Sequence, residues 1–256
     1  MADFTGRPGA ALVVGGSGGL GRSVARLLAE RGSHVAVTWR TSQAAALRVL
    51  EEAVAVGVHA RDWQLDLSLP DAAATVVDEV AAHFGGLHTL VYAAGPPVPM
   101  THLSRIDPEA LEDQLRVDAG GFFRVVRPAL GHLRESAGSI VAVTTAATSR
   151  YPVRDGLSAV PKAAVEATVR ALAAEEGRFG VRANCVGPGM LTDGMAERLI
   201  SSGDLDERAL AVARGNIPLG RFGVAADIAE AVCFLASDRA GFISGQKLDV
   251  DGGYSA

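Results

Sequence analysis

Residues 10–21 read Ala-Ala-Leu-Val-Val-Gly-Gly-Ser-Gly-Gly-Leu-Gly, and a helical pattern follows at once in residues 22–31. A short apolar run, a glycine-rich turn and a helix, in this order, are typical of a pyrophosphate site. Glycine permits a positive φ and lets phosphate oxygens approach the backbone amides closely. The helix start adds unpaired N–H groups and the positive end of its dipole. A glycine-rich turn without a ligand remains the alternative, because one glycine motif is weak evidence.

Length and composition indicate an ordinary globular protein. The chain has 256 residues, of which 48% are hydrophobic and 21% are charged, which is enough to bury a sizeable core. The net charge is −5 and no basic run stands out, so nucleic acid is not an expected partner. No apolar stretch reaches the roughly 18 residues of a membrane span, and the first residues lack a signal-peptide pattern. These features predict a cytoplasmic protein.

The two cysteines give no sign of a metal site. Cys185 and Cys233 lack metal-ligand spacing, and each lies in an apolar pattern. We therefore expect two buried free thiols and no bound metal.

Strand-like and helix-like patterns alternate along the whole chain. The strands are rich in Val, Leu, Ile and Ala without polar alternation, which indicates a sheet covered on both faces. Strands are expected at 10–15, 34–38, 58–65, 87–93, 138–145, 181–186 and 246–250, and helices at 19–31, 42–56, 70–84, 108–134, 159–178 and 225–236. Repeated β–α units with right-handed crossovers predict one α/β domain over residues 1–256, doubly wound and Rossmann-like, with a parallel sheet of about seven strands.

Two segments are expected to enclose the ligand crevice, which in an open α/β sheet lies beyond the carboxyl ends of the strands. Residues 187–217 are least committed to regular structure and are predicted to form a substrate-side lid, with 95–107 as the opposing wall. The apolar residues of this lid are Met190, Leu191, Met195, Leu199 and Ile200. They favour an apolar ligand, although a helix packed on the core would have the same composition.

The end of the second strand indicates which dinucleotide would bind. An NAD site usually places an acidic residue there for the ribose 2′-OH, and none occurs between residues 33 and 51. Arg40 follows the strand instead, with three hydroxyl residues nearby, Thr38, Thr41 and Ser42. A guanidinium and hydroxyls suit a 2′-phosphate, which favours NADP(H). Arg22 is a further candidate, and a solvated surface charge is the alternative for either arginine.

Further short motifs occur in order along the chain. They are Asp66-Leu67, Tyr92-Ala93-Ala94-Gly95, Pro188-Gly189 with Thr192, and Gly245 followed by Asp251-Gly252-Gly253. With the loop Gly15–Gly21, which reads T-G-x-x-x-G-x-G except for Val14 in place of Thr, these motifs resemble the short-chain dehydrogenase/reductase family over the whole chain. In that family the second motif reads N-N-A-G.

The resemblance implies an NADP(H) site and the residues that form it. From the glycine loop these are Gly15, Ser17, Gly18, Gly19, Leu20 and Gly21. Asp66 and Leu67 would contact the adenine, and Pro188, Gly189 and Thr192 would cover the nicotinamide. The other residues expected at the cofactor are Arg40, Thr41, Ala93, Ala94, Gly95 and Lys162. The helices at 108–134 and 159–178 resemble the family's subunit interface, which implies a homo-oligomer, a tetramer or a dimer.

The family's chemistry rests on a Tyr-x-x-x-Lys pair acting with an upstream Ser and an Asn. Here Lys162 matches the lysine, Thr145 stands at the Ser position, Asp118 at the Asn position and Ser158 at the Tyr position. The resemblance assigns Lys162 to the nicotinamide ribose, Thr145 and Ser158 to the substrate oxygen, and Asp118 to proton relay.

The absence of the tyrosine removes the residue that serves the family as general acid. A phenol has a pKa of about 10 that a nearby ammonium lowers toward neutrality, whereas a serine hydroxyl cannot be tuned comparably. General acid catalysis contributes about 10²–10⁴-fold, so another proton donor is needed. Asp118 through water, Tyr151 and the substrate itself are candidates. Tyr151 is more simply a rim aromatic, and His102 on the predicted wall is a weaker candidate.

A subset of the family, the 2,4-dienoyl-CoA reductases, resembles this chain at several of these positions. Some carry Ser with Lys four residues later, Asp at the position of Asp118, and the Ala-Ala-Gly form seen at 93–95. They reduce a conjugated C=C, where charge develops on an enolate oxygen that hydroxyls such as those of Thr145 and Ser158 would stabilise. Ala146 and Ala147 stand where some of those enzymes have a tyrosine.

Pro161 predicts where the helix carrying Lys162 begins. Proline suits a first helical turn and disfavours a helix interior, so we expect the start between Ser158 and Pro161. The alternative for Ser158 is then an N-cap whose hydroxyl satisfies backbone amides.

Together these patterns predict an NADPH-dependent reductase of a small carbonyl-containing molecule, acting on a conjugated C=C or a ketone without the tyrosine. Two alternatives remain open. One is a cofactor-binding protein without redox turnover, a sensor or scaffold. The other is a partner subunit in a hetero-oligomer.

Overall fold

The computed structural model describes residues 2–96, 98–193 and 207–256. Its strands are β1 (Ala10–Val14), β2 (His34–Trp39), β3 (Ala60–Gln64), β4 (Leu87–Tyr92), β5 (Ser139–Val143), β6 (Arg182–Pro188) and β7 (Lys247–Val250). They pair in parallel, in the order β3-β2-β1-β4-β5-β6-β7. The strand order reverses between β1 and β4, which is where a doubly wound sheet opens its ligand crevice. The predicted fold is confirmed.

Helices cover both faces of this sheet. They are α1 (Gly19–Glu30), α2 (Gln43–Ala55), α3 (Ala72–Phe84), α4 (Pro108–Gln114), α5 (Gly120–Glu135), α6 (Gly156–Glu176), α7 (Glu207–Gly215) and α8 (Ala225–Ala236). Within the described ranges, no helix has both the length and the apolar character needed to cross a bilayer.

Successive residues of one strand pack into two separate hydrophobic cores, one on each face of the sheet. On β1, Leu12 packs in the cluster that includes Phe122 of α5, whereas Val13 packs in the cluster that includes Leu28 of α1. Side chains alternate between the two faces of a strand, and β1 is covered on both faces, so both sets of its side chains are buried. This explains why β1 is apolar at every position.

The helix predicted at 108–134 is divided in the structure. A π-helical turn, Leu115–Ala119, separates α4 from α5. Such a turn holds an extra residue that re-aims the side chains around it, and here it contains Asp118. The sequence pattern gave no sign of this interruption, because every residue of Leu115–Ala119 is also compatible with an ordinary α-helix.

The predicted start of the Lys162 helix was wrong. Helix α6 begins at Gly156, its N-cap is Asp155, and Pro161 lies inside it. Ser158 is the third residue of the helix, so the N-cap interpretation of Ser158 is also wrong. Proline is tolerated there because, so near the helix start, it removes only the hydrogen bond to Leu157.

The predicted lid is only partly loop. Residues 187 and 188 complete β6, and residues 207–215 form α7. Helix α7 was not predicted from the sequence, where this segment was assigned to the lid. Leu191 is buried and bridges to Gly223. Residues 194–206, with Met195, Leu199 and Ile200, lie outside the described residues.

Both cysteines are buried and free, as predicted. Burial raises the pKa of Cys185 and of Cys233 to about 12. The reactive thiolate is therefore suppressed at neutral pH.

His88 makes the fold sensitive to acid. Its ring is fully buried on β4, stacks on Phe4 at 5.8 Å and lies 2.9 Å from Thr89 Oγ1. Burial, followed by the charge of Arg7, lowers its pKa to about 3. An unfolded histidine has a pKa of about 6.5, so the unfolded state gains a proton first as the pH falls.

We expect this residue to account for a loss of about 2 kcal/mol in the free energy of unfolding between pH 7 and pH 5. Urea unfolding of wild type and His88→Gln at both pH values measures it, because the variant lacks this part of the pH dependence. His102→Gln, at an exposed position, is the control. Equal pH dependence in wild type and His88→Gln would contradict the prediction.

Candidate active site

The turn after β1 is packed so closely that glycine is required. Gly15 has φ +80°, and its N–H donates to Thr38 Oγ1 at 3.0 Å. A Cβ on Gly21 would lie 2.3 Å from Gly15 O, and one on Gly16 would lie 2.0 Å from Val37 Cγ1. The importance of Gly16 was missed from the sequence, because its constraint comes from β2 rather than from the motif.

The start of α1 fits an anion. Its N-cap, Gly18, has no side chain to satisfy the first amides, and its first turn carries no acidic residue. The first four N–H groups of a helix have no partner within it, so the amides after Gly18 are left for a ligand. The glycine cradle and the uncapped helix therefore fit the dinucleotide predicted from residues 15–21.

Two of the groups expected at the 2′-phosphate are available there. Arg40 and Thr41 are exposed after β2. The Ser68 hydroxyl and amide, at 2.7 and 2.9 Å, lower the pKa of Asp66, and the charge of Arg40 lowers it further. Arg124 donates to Leu67 O at 2.7 Å, which fixes the backbone of the Asp66-Leu67 pair.

Three other groups named for that role have contacts within the protein. The Thr38 hydroxyl accepts from Gly15, and the Ser42 hydroxyl accepts from Ala45 N at the start of α2. Arg22 forms an ion pair with Glu52 of α2. These contacts leave the suggested roles of Thr38, Ser42 and Arg22 as predictions, because a hydroxyl that accepts can also donate and the Arg22 side chain is 43% exposed.

Lys162 forms the centre of the site beyond β4. Its Nζ donates to Asp118 Oδ1 at 3.0 Å and to Ala94 O at 3.2 Å. Both side chains of the ion pair are buried, with 12% of Lys162 and 6% of Asp118 exposed. A Cβ on Gly95 would lie 3.3 Å from Lys162 Nζ, so glycine there leaves room for the ammonium. The Lys162 ammonium on α6 therefore contacts both the π-turn and the segment that follows β4.

Tyr92, the last residue of β4, contacts the π-turn and lies beside Lys162. Its hydroxyl donates to Asp118 O at 3.1 Å, and Lys162 Nζ lies 5.6 Å from its ring centroid. Burial, followed by the charge of Asp118, raises the Tyr92 pKa well above its usual value. The phenol therefore stays protonated and serves as a hydrogen-bond donor to the π-turn.

Thr145 follows β5 and keeps a proton to donate. Its Oγ1 accepts from Ala147 N at 3.1 Å. A hydroxyl can accept and donate at once, so its own proton is left for a substrate oxygen. Thr148 Oγ1 donates to Thr145 O at 3.1 Å or to Glu166 Oε1 at 2.8 Å, which ties this turn to α6.

A buried charge cluster that sequence reasoning missed supports the same turn. Lys247 Nζ donates to Ser149 Oγ at 2.9 Å and lies 2.9 Å from Asp249 and 3.5 Å from Glu166. The only sequence signal was the position of Glu166, four residues after Lys162 on the same helix. Lys247 comes from β7, far along the chain.

Pro188 and Gly189, which are predicted to cover the nicotinamide, contact residues 250 and 251. Gly189 N donates to Val250 O at 3.0 Å, and a Cβ on Gly189 would lie 2.6 Å from Asp251 Cα. Pro188 pairs with Val250 in the sheet. Thr192 N donates to Gly223 O at 2.9 Å, and its side chain is exposed.

The opposing wall is tied to the turn that precedes α6. Thr101 N donates to Arg154 O at 3.0 Å. Tyr151 in that turn is 59% exposed and His102 on the wall is exposed, so both lie on the rim. In the part of the chain that the structure describes, no three His, Cys, Asp or Glu side chains are grouped to hold a metal ion.

We expect Asp118→Ala to lower the free energy of unfolding by about 3 kcal/mol, because it leaves the buried Lys162 ammonium unpaired. Asp118→Asn keeps a polar partner and should cost less. Chemical denaturation measures both. Asp113→Ala, at a 67% exposed carboxylate paired with Arg116, is the control, with a loss of less than about 1 kcal/mol. Equal losses for Asp118→Ala and Asp113→Ala would show that the buried pair adds no stability.

Comparison with known proteins places this site in context. Residues 14–255 match the family described as enoyl-(acyl carrier protein) reductase. Versicolorin reductase from Emericella nidulans is 34% identical over 249 residues, 95% of this chain and 94% of the relative. A 3-oxoacyl-[acyl-carrier-protein] reductase from Staphylococcus aureus is 34% identical over 244 residues, 95% and 96% of the two chains.

A solved structure agrees with these matches. A short-chain dehydrogenase from Burkholderia cenocepacia, in complex with NADP, superposes with a TM-score of 0.88 at 32% identity, covering 99% of this chain and 100% of that one. Sequence and fold therefore lead to the same conclusion: the chain belongs to the short-chain dehydrogenase/reductase family of oxidoreductases.

Proposed function

We propose that the chain is an NADPH-dependent reductase that transfers hydride to a small, apolar, carbonyl-containing molecule, at a conjugated C=C or a ketone. The observation that carries this is the buried Lys162 ammonium, held by Ala94 O and Asp118 beside Gly95. A dinucleotide that lies across Gly15–Gly21 would bring its nicotinamide end to this charge.

The choice of NADPH over NADH rests on Arg40. Its guanidinium and the Thr41 hydroxyl are exposed at the end of β2, where a 2′-phosphate would lie. The Burkholderia cenocepacia relative is a complex with NADP, which supports the same cofactor here.

The residues of the site have separate roles in this proposal. When bound, NADPH supplies the hydride. Lys162 binds the nicotinamide ribose and adds positive charge, while Asp118 fixes the position of Lys162 and orders a water for proton relay. Thr145 and Ser158 donate hydrogen bonds to the substrate oxygen, where negative charge develops.

The reaction proceeds without the family's tyrosine, as Ser158 occupies its position. The partial likeness to 2,4-dienoyl-CoA reductases at Asp118, Ser158 and Lys162 supports reduction of a conjugated C=C. The names of the relatives, a 3-oxoacyl reductase and an enoyl reductase family, support a carbonyl or a C=C beside one. We further propose a cytoplasmic homo-oligomer, a tetramer or dimer, assembled through α5 and α6.

Loss of NADPH absorbance with a panel of ketones, enones, and 3-oxoacyl and enoyl thioesters tests this function. We expect turnover with at least one class, and a loss of at least about 100-fold in Lys162→Ala. Tight NADPH binding without turnover on the whole panel would instead support a cofactor-binding sensor or scaffold.

We expect Arg40→Ala to weaken NADPH binding about 10- to 100-fold while leaving NADH binding unchanged, because one charge-assisted contact to the 2′-phosphate is lost. Fluorescence titration with each cofactor measures this. Arg48→Ala, an exposed arginine on α2, is the matched control. An equal effect on NADH and NADPH would contradict a 2′-phosphate role.

A further inference from the structure

Asp155, Ser158 and Lys162 lie on one face of the same helix. They occupy the N-cap, the third and the seventh positions of α6, and residues three, four and seven apart share a helical face. With a rise of about 1.5 Å per residue, Asp155 lies about 4.5 Å along the axis from Ser158, and Ser158 about 6 Å from Lys162. The N-cap and third positions are those whose side chains reach each other's backbone in a capping box.

Asp155 lies at the N-terminal end of this row. Lys162, at the other end, contacts Ala94 beside the expected nicotinamide position. The residue before Asp155, Arg154, has φ +76° and accepts a hydrogen bond from Thr101 on the wall. A Cβ on Gly156 would lie 2.6 Å from Leu103 of that wall. The carboxyl is therefore set where the wall meets the start of α6, in a strained turn of the kind found at functional sites.

Asp155 does not perform the usual task of an N-cap aspartate. Such a carboxylate accepts from the first amides of its helix, which lowers its pKa, but Asp155 makes no such bond. Burial raises its pKa to about 6. The neighbouring elements carry Lys162 on the helix, Tyr151 and Arg154 in the preceding turn, His102 and Arg105 on the wall, and Glu109 and Glu112 on α4. Burial is the cause of the shift, rather than any of these groups.

We propose that Asp155 is the proton source that replaces the missing tyrosine, acting through the Ser158 hydroxyl; this rests on the reductase function proposed above. NADPH, as reductant, gives a hydride to the electrophilic carbon, and the C=O π electrons move to oxygen. That oxygen takes the Ser158 hydroxyl proton while Ser158 takes the Asp155 carboxyl proton. The products are an alcohol or enol, NADP⁺ and an Asp155 carboxylate, which water reprotonates.

The kinetic test compares the pH profile of kcat for wild type, Asp155→Asn and Asp155→Glu with the best substrate of the panel. Wild-type kcat should fall as the pH rises through about 6, because the protonated acid is lost. Asp155→Asn should be about 100-fold slower at pH 6, with a flat profile and an unchanged Kd for NADPH. Asp155→Glu should restore part of kcat and the pH dependence. Asp71→Asn, another N-cap aspartate without a cap hydrogen bond, is the control with wild-type behaviour.

A second readout needs neither cofactor nor substrate. Because the native pKa of Asp155 lies above its unfolded value of about 3.9, wild type loses stability relative to Asp155→Asn as the pH rises from 4 to 6. The difference should be level above about pH 7. Urea unfolding of both proteins measures it, and a difference that does not change with pH overturns the proposal.

The outcomes separate the two proposals. An active wild type whose kcat and pH profile persist in Asp155→Asn overturns the role of Asp155 alone. A wild type that oxidises no NADPH with any substrate overturns the reductase function, and the role of Asp155 with it.

Discussion

The ion pair between Lys162 and Asp118 is the contact on which the rest of the site depends. It joins the middle of α6 to the π-turn and, through Ala94, to the end of β4. A buried ammonium is stable only when it is paired and hydrogen-bonded, so the position of Lys162 depends on how these three elements meet.

The fold and the glycine-loop part of the site could be predicted from local patterns in the sequence. Apolar runs marked the strands, and the close neighbours of Gly21 are Gly15 and Gly16, which lie a few residues before it. The π-turn at Asp118 was not predicted, because every residue of Leu115–Ala119 is also compatible with an ordinary α-helix. The start of α6 was predicted too late in the chain, because Pro161 is typical of a first helical turn but lies inside this helix.

The contacts around the cofactor pocket that the sequence did not indicate share one physical cause. Thr38 and Arg22 are contacted by Gly15 and Glu52, which are distant from them in the sequence. The cluster of Lys247, Asp249 and Glu166 was invisible for the same reason. The sequence gives the chemistry of a side chain, but only the tertiary structure gives its hydrogen-bond and ion-pair partners.

The contact between Gly189 and Asp251 has a consequence for the order in which the protein is assembled. Asp251 also accepts hydrogen bonds from Gly253 and Ser255, so the platform beneath the Pro188–Gly189 segment is built from residues 251–255. A ribosome would expose the glycine loop well before this platform. The two ends of one binding crevice would therefore mature at different times, and a nascent chain would hold a phosphate cradle well before it could enclose a whole dinucleotide.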